Sequence, residues 1–222
     1  MERDTFLQNV RAAMRTSQLP PIPEDPPGGY VPRLSEEGLV ERFVERVLAV
    51  DGNAHRAADD AEAIRVVSGL LEKYEAAGYM AWDADQLPVA GLADHLPGIS
   101  IRGAVTSNPS DRIDHQTGYM DLRVGITGAT GGLAESGSIV LDCGPGRPRM
   151  ASLIPLAHVA LLRSTDIVPS LSHWVAAHPT AAIDTSNLVV ITGPSRTADI
   201  EQVLNLGVHG PKHLHVVVVA SS

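Results

Sequence analysis

Apolar residues at Phe6, Leu7, Val10 and Met14 recur at helical spacing and predict a helix over about residues 1–18. Six prolines between Pro20 and Pro32, with Gly28 and Gly29, then forbid regular structure and make a stiff linker. Ser35 followed by Glu36 and Glu37 reads as a helix start, and Leu39, Val40, Phe43, Val44, Val47 and Leu48 supply one apolar stripe. A further helix is expected from about Asp60 through Ile64, Val67, Leu71 and Tyr74 to a glycine stop at Gly78. Between Trp82 and His115 the pattern weakens to a short helix over Pro88–His95 and a strand over Ile99–Val105.

After Asp121 strand-like runs alternate with glycine-rich turns: Leu122–Thr127, Ser138–Leu141, His158–Leu162, Leu188–Thr192 and His215–Val219. Near-continuous apolar strands of this kind predict a mostly parallel sheet covered on both faces by helices, an α/β class. Leu188–Val219 reads as one βαβ unit: a strand to Gly193, a turn over Pro194–Thr197, a helix over Ala198–Leu206 stopped by Gly207, then a strand.

The chain has 222 residues, of which 44% are apolar and 19% charged, enough for a real core and too few charges for a disordered chain. The expected organisation is an arm, residues 1–33, on one large domain, residues 34–222, with the arm packing on its own domain or on a neighbouring subunit of a homo-oligomer. Aromatics are only 4%, and 26 acidic against 17 basic residues leave a net charge of −9, which argues against nucleic acid. Cys143 is the single cysteine, which excludes an internal disulfide, a cysteine zinc site and a cysteine-ligated iron–sulfur cluster held by this chain alone. The start Met1-Glu2-Arg3-Asp4 lacks a signal-peptide pattern and no apolar run approaches ~18 residues, so a cytoplasmic protein without membrane spans is expected.

In this βαβ unit a small anion is expected beyond the carboxyl ends of the strands, at the amino terminus of the helix. Gly193, Ser195, Thr197 and the backbone would cradle it, Arg196 would pair with it, and Asp199 would orient Arg196 or cap the helix. The plainer reading is that Ser195 or Thr197 only caps the helix. In His209-Gly210-Pro211-Lys212, His209 could act as acid or base and Lys212 could neutralise an anion, or the segment is a solvated loop with a rigid turn.

His213 and His215 share one strand face, but no neighbouring carboxylate or cysteine completes a ligand set, so no metal is expected. The glycine-rich stretch Gly125–Leu141 matches neither a Walker loop nor a dinucleotide fingerprint, so neither ATP nor NAD is implied and no cofactor is expected. Its glycines reflect backbone close to a ligand or tight turns between packed strands. Within it Glu135, beside Ser136, Gly137 and Ser138, is a candidate base or nucleophile, or else a solvated acid at a strand entrance. His158, among Leu153, Ile154 and Val159, reads as a satisfied core histidine. No Gly-x-Ser-x-Gly elbow is present, which excludes a serine hydrolase of that type.

Taken together, Gly125-Ile-Thr-Gly-Ala129, Ala134-Glu-Ser-Gly-Ser-Ile-Val-Leu141, Ser152-Leu-Ile-Pro155 with His158, Gly193-Pro-Ser-Arg-Thr-Ala-Asp-Ile-Glu201 and Gly207-Val-His-Gly-Pro-Lys212 resemble the lactate-utilisation protein C family (LUD domain) over about residues 121–219. Ser136-Gly137-Ser138 stands where many of its members show Thr-Gly-Thr, which keeps the hydroxyls and removes two methyl groups. The resemblance implies a fold similar to that of ribose-phosphate isomerases, glucosamine-phosphate deaminases and CoA transferases, without their activities. It also implies a cluster-free accessory subunit in a three-protein system that oxidises L-lactate to pyruvate with iron–sulfur sister subunits. It assigns no reaction to this chain. The other readings are a stand-alone enzyme acting on a phosphorylated sugar or CoA ester, with Glu135 as base or nucleophile, and a scaffold with a vestigial pocket.

Overall fold

A computed structural model of the chain describes residues 3–16, 34–76, 78–96, 99–101, 122–198, 204–206 and 209–221. Helix α1 (Arg3–Thr16) forms where its apolar spacing predicts. The proline linker expected between Pro20 and Pro32 lies outside the described residues.

Helix α2 (Glu36–Ala49) begins at Ser35, whose Oγ accepts from the Gly38 amide at 3.2 Å. Val40, Phe43 and Val47 are its buried stripe, while Leu48 is 54% exposed, so the apolar face is narrower than the sequence suggests. Helix α3 (Asp60–Lys73) is capped one residue earlier than its expected start: Asp59 Oδ1 accepts from the Glu62 amide and Glu62 Oε2 accepts from the Ala58 amide, both at 2.7 Å. It ends before Gly78. The stop is a turn through Glu75, which sits in the left-handed region at φ 48°, and Gly78 opens the next strand.

Six described strands pair in parallel: β1 (Asn53–Ala57), β2 (Gly78–Ala81), β3 (Ile99–Ile101), β4 (Val124–Gly128), β7 (Ala157–Arg163) and β12 (His213–Val219). Their order is β1-β12-β7-β4-β2-β3. On one face Ala160, Leu162, Leu214, Val216 and Val218 meet α2. On the other, Val159, Leu161, Val217 and Val219 meet Ala63, Val67, Leu70 and Leu71 of α3, and Leu92 of the short helix α4 (Leu92–His95) joins them. Both faces are covered, which is why the central strands read as unbroken apolar runs.

A smaller sheet of β5 (Gly131–Leu133), β6 (Ser138–Cys143), β8 (Ile167–Val168) and β9 (Asn187–Ile191) runs in the order β8-β5-β6-β9. Ile139, Leu141 and Cys143 join the α2 core, whereas Leu133 and Val140 on the opposite face pack on Trp174 of α5 (Leu171–Ala177). Another short helix, α6 (Ala181–Asp184), precedes β9.

The expected βαβ unit over Leu188–Val219 does not form. β9 pairs antiparallel with β6 in the small sheet, while β12 lies in the large one. Arg196–Ala198 (β10) and Leu204–Leu206 (β11) pair antiparallel with each other, so Ala198 and Leu206, expected at the two ends of a helix, lie in strands. The architecture remains α/β with a parallel central sheet. Among the described residues no helix is long and apolar enough to cross a membrane.

Candidate functional site

The Gly193–Ser195 and His209–Pro211 segments, apart in sequence, meet in space. The Ser195 amide donates to the Pro211 carbonyl at 2.9 Å, and the Lys212 and His213 amides both donate to the Leu156 carbonyl, at 2.9 and 3.2 Å, tying the second segment to the approach to β7. Gly193 has φ 79°, and a β-carbon there would lie 2.6 Å from the Val50 carbonyl oxygen, so the close approach to the end of α2 requires glycine. Between the two segments lies a cavity of about 130 Å³, walled by Ser152, Leu153, His158, Val189, Ile191, Gly193, Pro194, Ser195, His209, Gly210, Pro211 and Leu214. His158 and Leu214 are the second residues of β7 and β12. The cavity therefore sits at the amino ends of these strands, opposite to the end expected from the βαβ reading.

His158 is half satisfied rather than satisfied. The residue is 1% exposed and Nε2 lies 2.9 Å from Thr127 Oγ1 on β4, yet Nδ1 is buried without a hydrogen-bond partner among the described residues. Burial holds its pKa down at about 3, so the ring is neutral at physiological pH. The sequence signal was a titratable residue set in the otherwise apolar run Ala157–Leu162.

Of the other predicted site residues, the turn from Glu135 to Ser138 does not line the cavity. Gly137 (φ 71°) presses on the Arg46–Val47 backbone of α2, and a β-carbon there would meet Val47 N at 2.5 Å. The Glu135 amide donates to Pro169 O at 3.0 Å. Ser136 Oγ bonds Ser138 Oγ, which bonds Thr192 Oγ1, each at 2.7 Å, so a run of hydroxyls links this turn to the residue before Gly193. Ser138 shares a strand face with Val140, away from Ile139 and the α2 core.

Arg196 is ion-paired with Asp51, just beyond α2, and neither it nor Lys212 walls the cavity. Its expected partner Asp199 lies outside the described residues, and Thr197 contributes a backbone position in β10. The glycines of the Gly125–Leu141 stretch serve packing. A β-carbon on Gly125 would lie 1.9 Å from the Ala151 carbonyl oxygen, and one on Gly131 would lie 2.3 Å from the Trp174 ring.

His215 belongs to a separate network on the α3 face. Its Nδ1 is 3.0 Å from His55 Nε2 and its Nε2 is 2.8 Å from the Tyr74 hydroxyl. Burial first, then the neighbouring His55, Lys73 and His213, hold its pKa at about 3. His213 packs on the Tyr74 ring, while His209 stands apart from both at the cavity. Among the described residues no three His, Cys, Asp or Glu side chains are placed to hold a metal ion.

Comparison with known proteins adds to this geometry. The LUD domain family matches residues 40–219. A Lactate utilization protein C of Halalkalibacterium halodurans is 29% identical, over 98% of this chain and 97% of the relative. The corresponding protein of an Exiguobacterium species is 30% identical, over 98% of this chain and 95% of its own. The crystal structure of a DUF162 family protein from Deinococcus radiodurans aligns with a TM-score of 0.58 at 22% identity, covering 84% of this chain and 99% of that one.

Proposed function

Because the chain belongs to the LUD domain family, we propose that it is an accessory subunit of an L-lactate utilisation system. In this reading iron–sulfur sister subunits accept the electrons released as L-lactate is oxidised to pyruvate, and the single cysteine of this chain suits a subunit without a cluster of its own. Its role is to hold a small carboxylate or dock its partners, in the cytoplasm, through the surface where the Gly193 and His209 segments meet. Residues 1–33 act as an arm on the 34–222 domain.

The observation that carries this reading is the convergence of two of its family-like segments, Gly193–Ser195 and His209–Pro211, over one cavity floored by His158. Ser195 and His209 offer hydrogen bonds to a carboxylate, and Lys212 follows the lining residue Pro211 in sequence. The stand-alone enzyme with Glu135 as its base is disfavoured, because Glu135 lies off the cavity wall.

Disruption of the gene tests the role. Growth on L-lactate should fail and return on complementation. Unimpaired growth in a strain with no other route for L-lactate oxidation would overturn it.

A further inference from the structure

The cavity wall is formed largely by Leu153, Val189, Ile191, Pro194 and Leu214, and among the described residues no carboxylate, lysine or arginine lines it. An anionic group seated at its floor would lose water without a counter-charge, whereas a neutral polar group needs only one hydrogen bond there. His158 offers that bond. Its Nδ1 is buried and unpartnered among the described residues, and His158 is one of the residues that wall the cavity. A cavity of roughly 150 Å³ admits a six-carbon aromatic ring, so one of about 130 Å³ takes a molecule of similar atom count.

We propose, resting on the reading above, that this cavity binds a short-chain 2-hydroxy or 2-oxo monocarboxylate, its C2 oxygen on His158 Nδ1 and its carboxylate at the mouth beside Ser195 and His209. The methyl end then meets the apolar wall. Thr127 lets one site take both oxidation levels. When His158 Nε2–H donates to Thr127 Oγ1, Nδ1 accepts from a ligand hydroxyl. When the Thr127 hydroxyl donates to Nε2, Nδ1–H donates to a keto oxygen. The exchange is a change of tautomer within a neutral pair, with no charge created in the core.

Isothermal titration of the purified full chain with L-lactate, pyruvate and propionate tests this, since propionate keeps the carboxylate and chain length but lacks the C2 oxygen. L-lactate and pyruvate are expected to bind about tenfold more tightly than propionate, the value of one satisfied buried hydrogen bond. His158→Phe should bring both to the propionate level. Equal binding of propionate and L-lactate by the unaltered protein, binding of none of the three, or an unchanged ratio in His158→Phe overturns the assignment. The comparison on the unaltered protein decides the matter by itself if that variant does not fold. The two proposals fail separately: a gene-disrupted strain that regains growth on L-lactate with the His158→Phe gene rejects the His158 contact and keeps the accessory role. Unimpaired growth of the disrupted strain rejects the role alone.

Discussion

The guanidinium of Arg196 pairs with the carboxylate of Asp51, so the arginine that the sequence offers as an anion ligand is engaged with the end of α2. Both side chains are well exposed, at 39% and 75%, and water and salt screen the pair. Arg196→Ala should therefore change stability by less than about 1 kcal/mol, with the difference shrinking further in high salt. Urea denaturation at two salt concentrations checks this, and titration with the small carboxylates should show affinity within about twofold of the parent, since the side chain is outside the cavity wall. A larger drop would put the guanidinium on the ligand.

Gly193→Ala strains the chain twice, through its positive φ and through a contact with backbone that cannot swing aside. A loss of roughly 1–3 kcal/mol of stability is expected, with weakened ligand binding because the segment closing the cavity must shift. Denaturant midpoints alongside titration measure both.

Gly125 and Gly69 make opposite predictions from the same substitution. Alanine at Gly125 collides with the Ala151 carbonyl at 1.9 Å and should destabilise by more than about 3 kcal/mol or prevent folding. Alanine at Gly69, inside α3 with nothing within 4 Å of the new β-carbon, should stabilise by about 0.5–1 kcal/mol. Thermal unfolding of the two variants should bracket the parent, and a neutral Gly125→Ala would contradict the packing described for β4.

His158 and His215 are both held neutral in the fold, with pKa values near 3 against an ordinary 6.5. Below pH 6.5 the unfolded chain takes up protons that the folded chain refuses, so their contribution to stability is complete above that pH and is lost as pH falls toward 3. Each histidine adds a slope of up to about 1.4 kcal/mol per pH unit. Urea midpoints between pH 7 and pH 5, above most carboxylate titration, should fall steadily, and His215→Phe should flatten the dependence while lowering stability through the stranded Tyr74 hydroxyl. A flat profile would mean that both rings are charged in the folded protein.

The central strands were legible because both faces of β4, β7 and β12 are buried and their residues show it. The strands β1 and β2 were not. Asn53–Ala57 carries Asn, His and Arg because among the described strands it is an edge with one neighbour, β12, and its polar side chains find partners, His55 in the buried His215 of β12 and Arg56 in the exposed Glu37. At Ala198–Leu206 helix-like residues won the sequence reading, whereas pairing of β10 with β11 decides the structure, and no local pattern reveals a partner. The site divides the same way. Ser195 and His209, which line the cavity, stand out in the sequence by their loop chemistry, whereas His158 reads as core because nothing in a sequence says which of two ring nitrogens will lack a partner.

The placement of β12 between β1 and β7 has a consequence for how the molecule comes into being. Asn53–Ala57 leaves the ribosome well before His213–Val219, the strand that takes the seat beside it. Until that last segment is made the nascent chain carries an open slot between the first and fifth of its described parallel strands, the kind of unpaired backbone that invites a chaperone or a foreign strand, and the sheet cannot be sealed before it arrives.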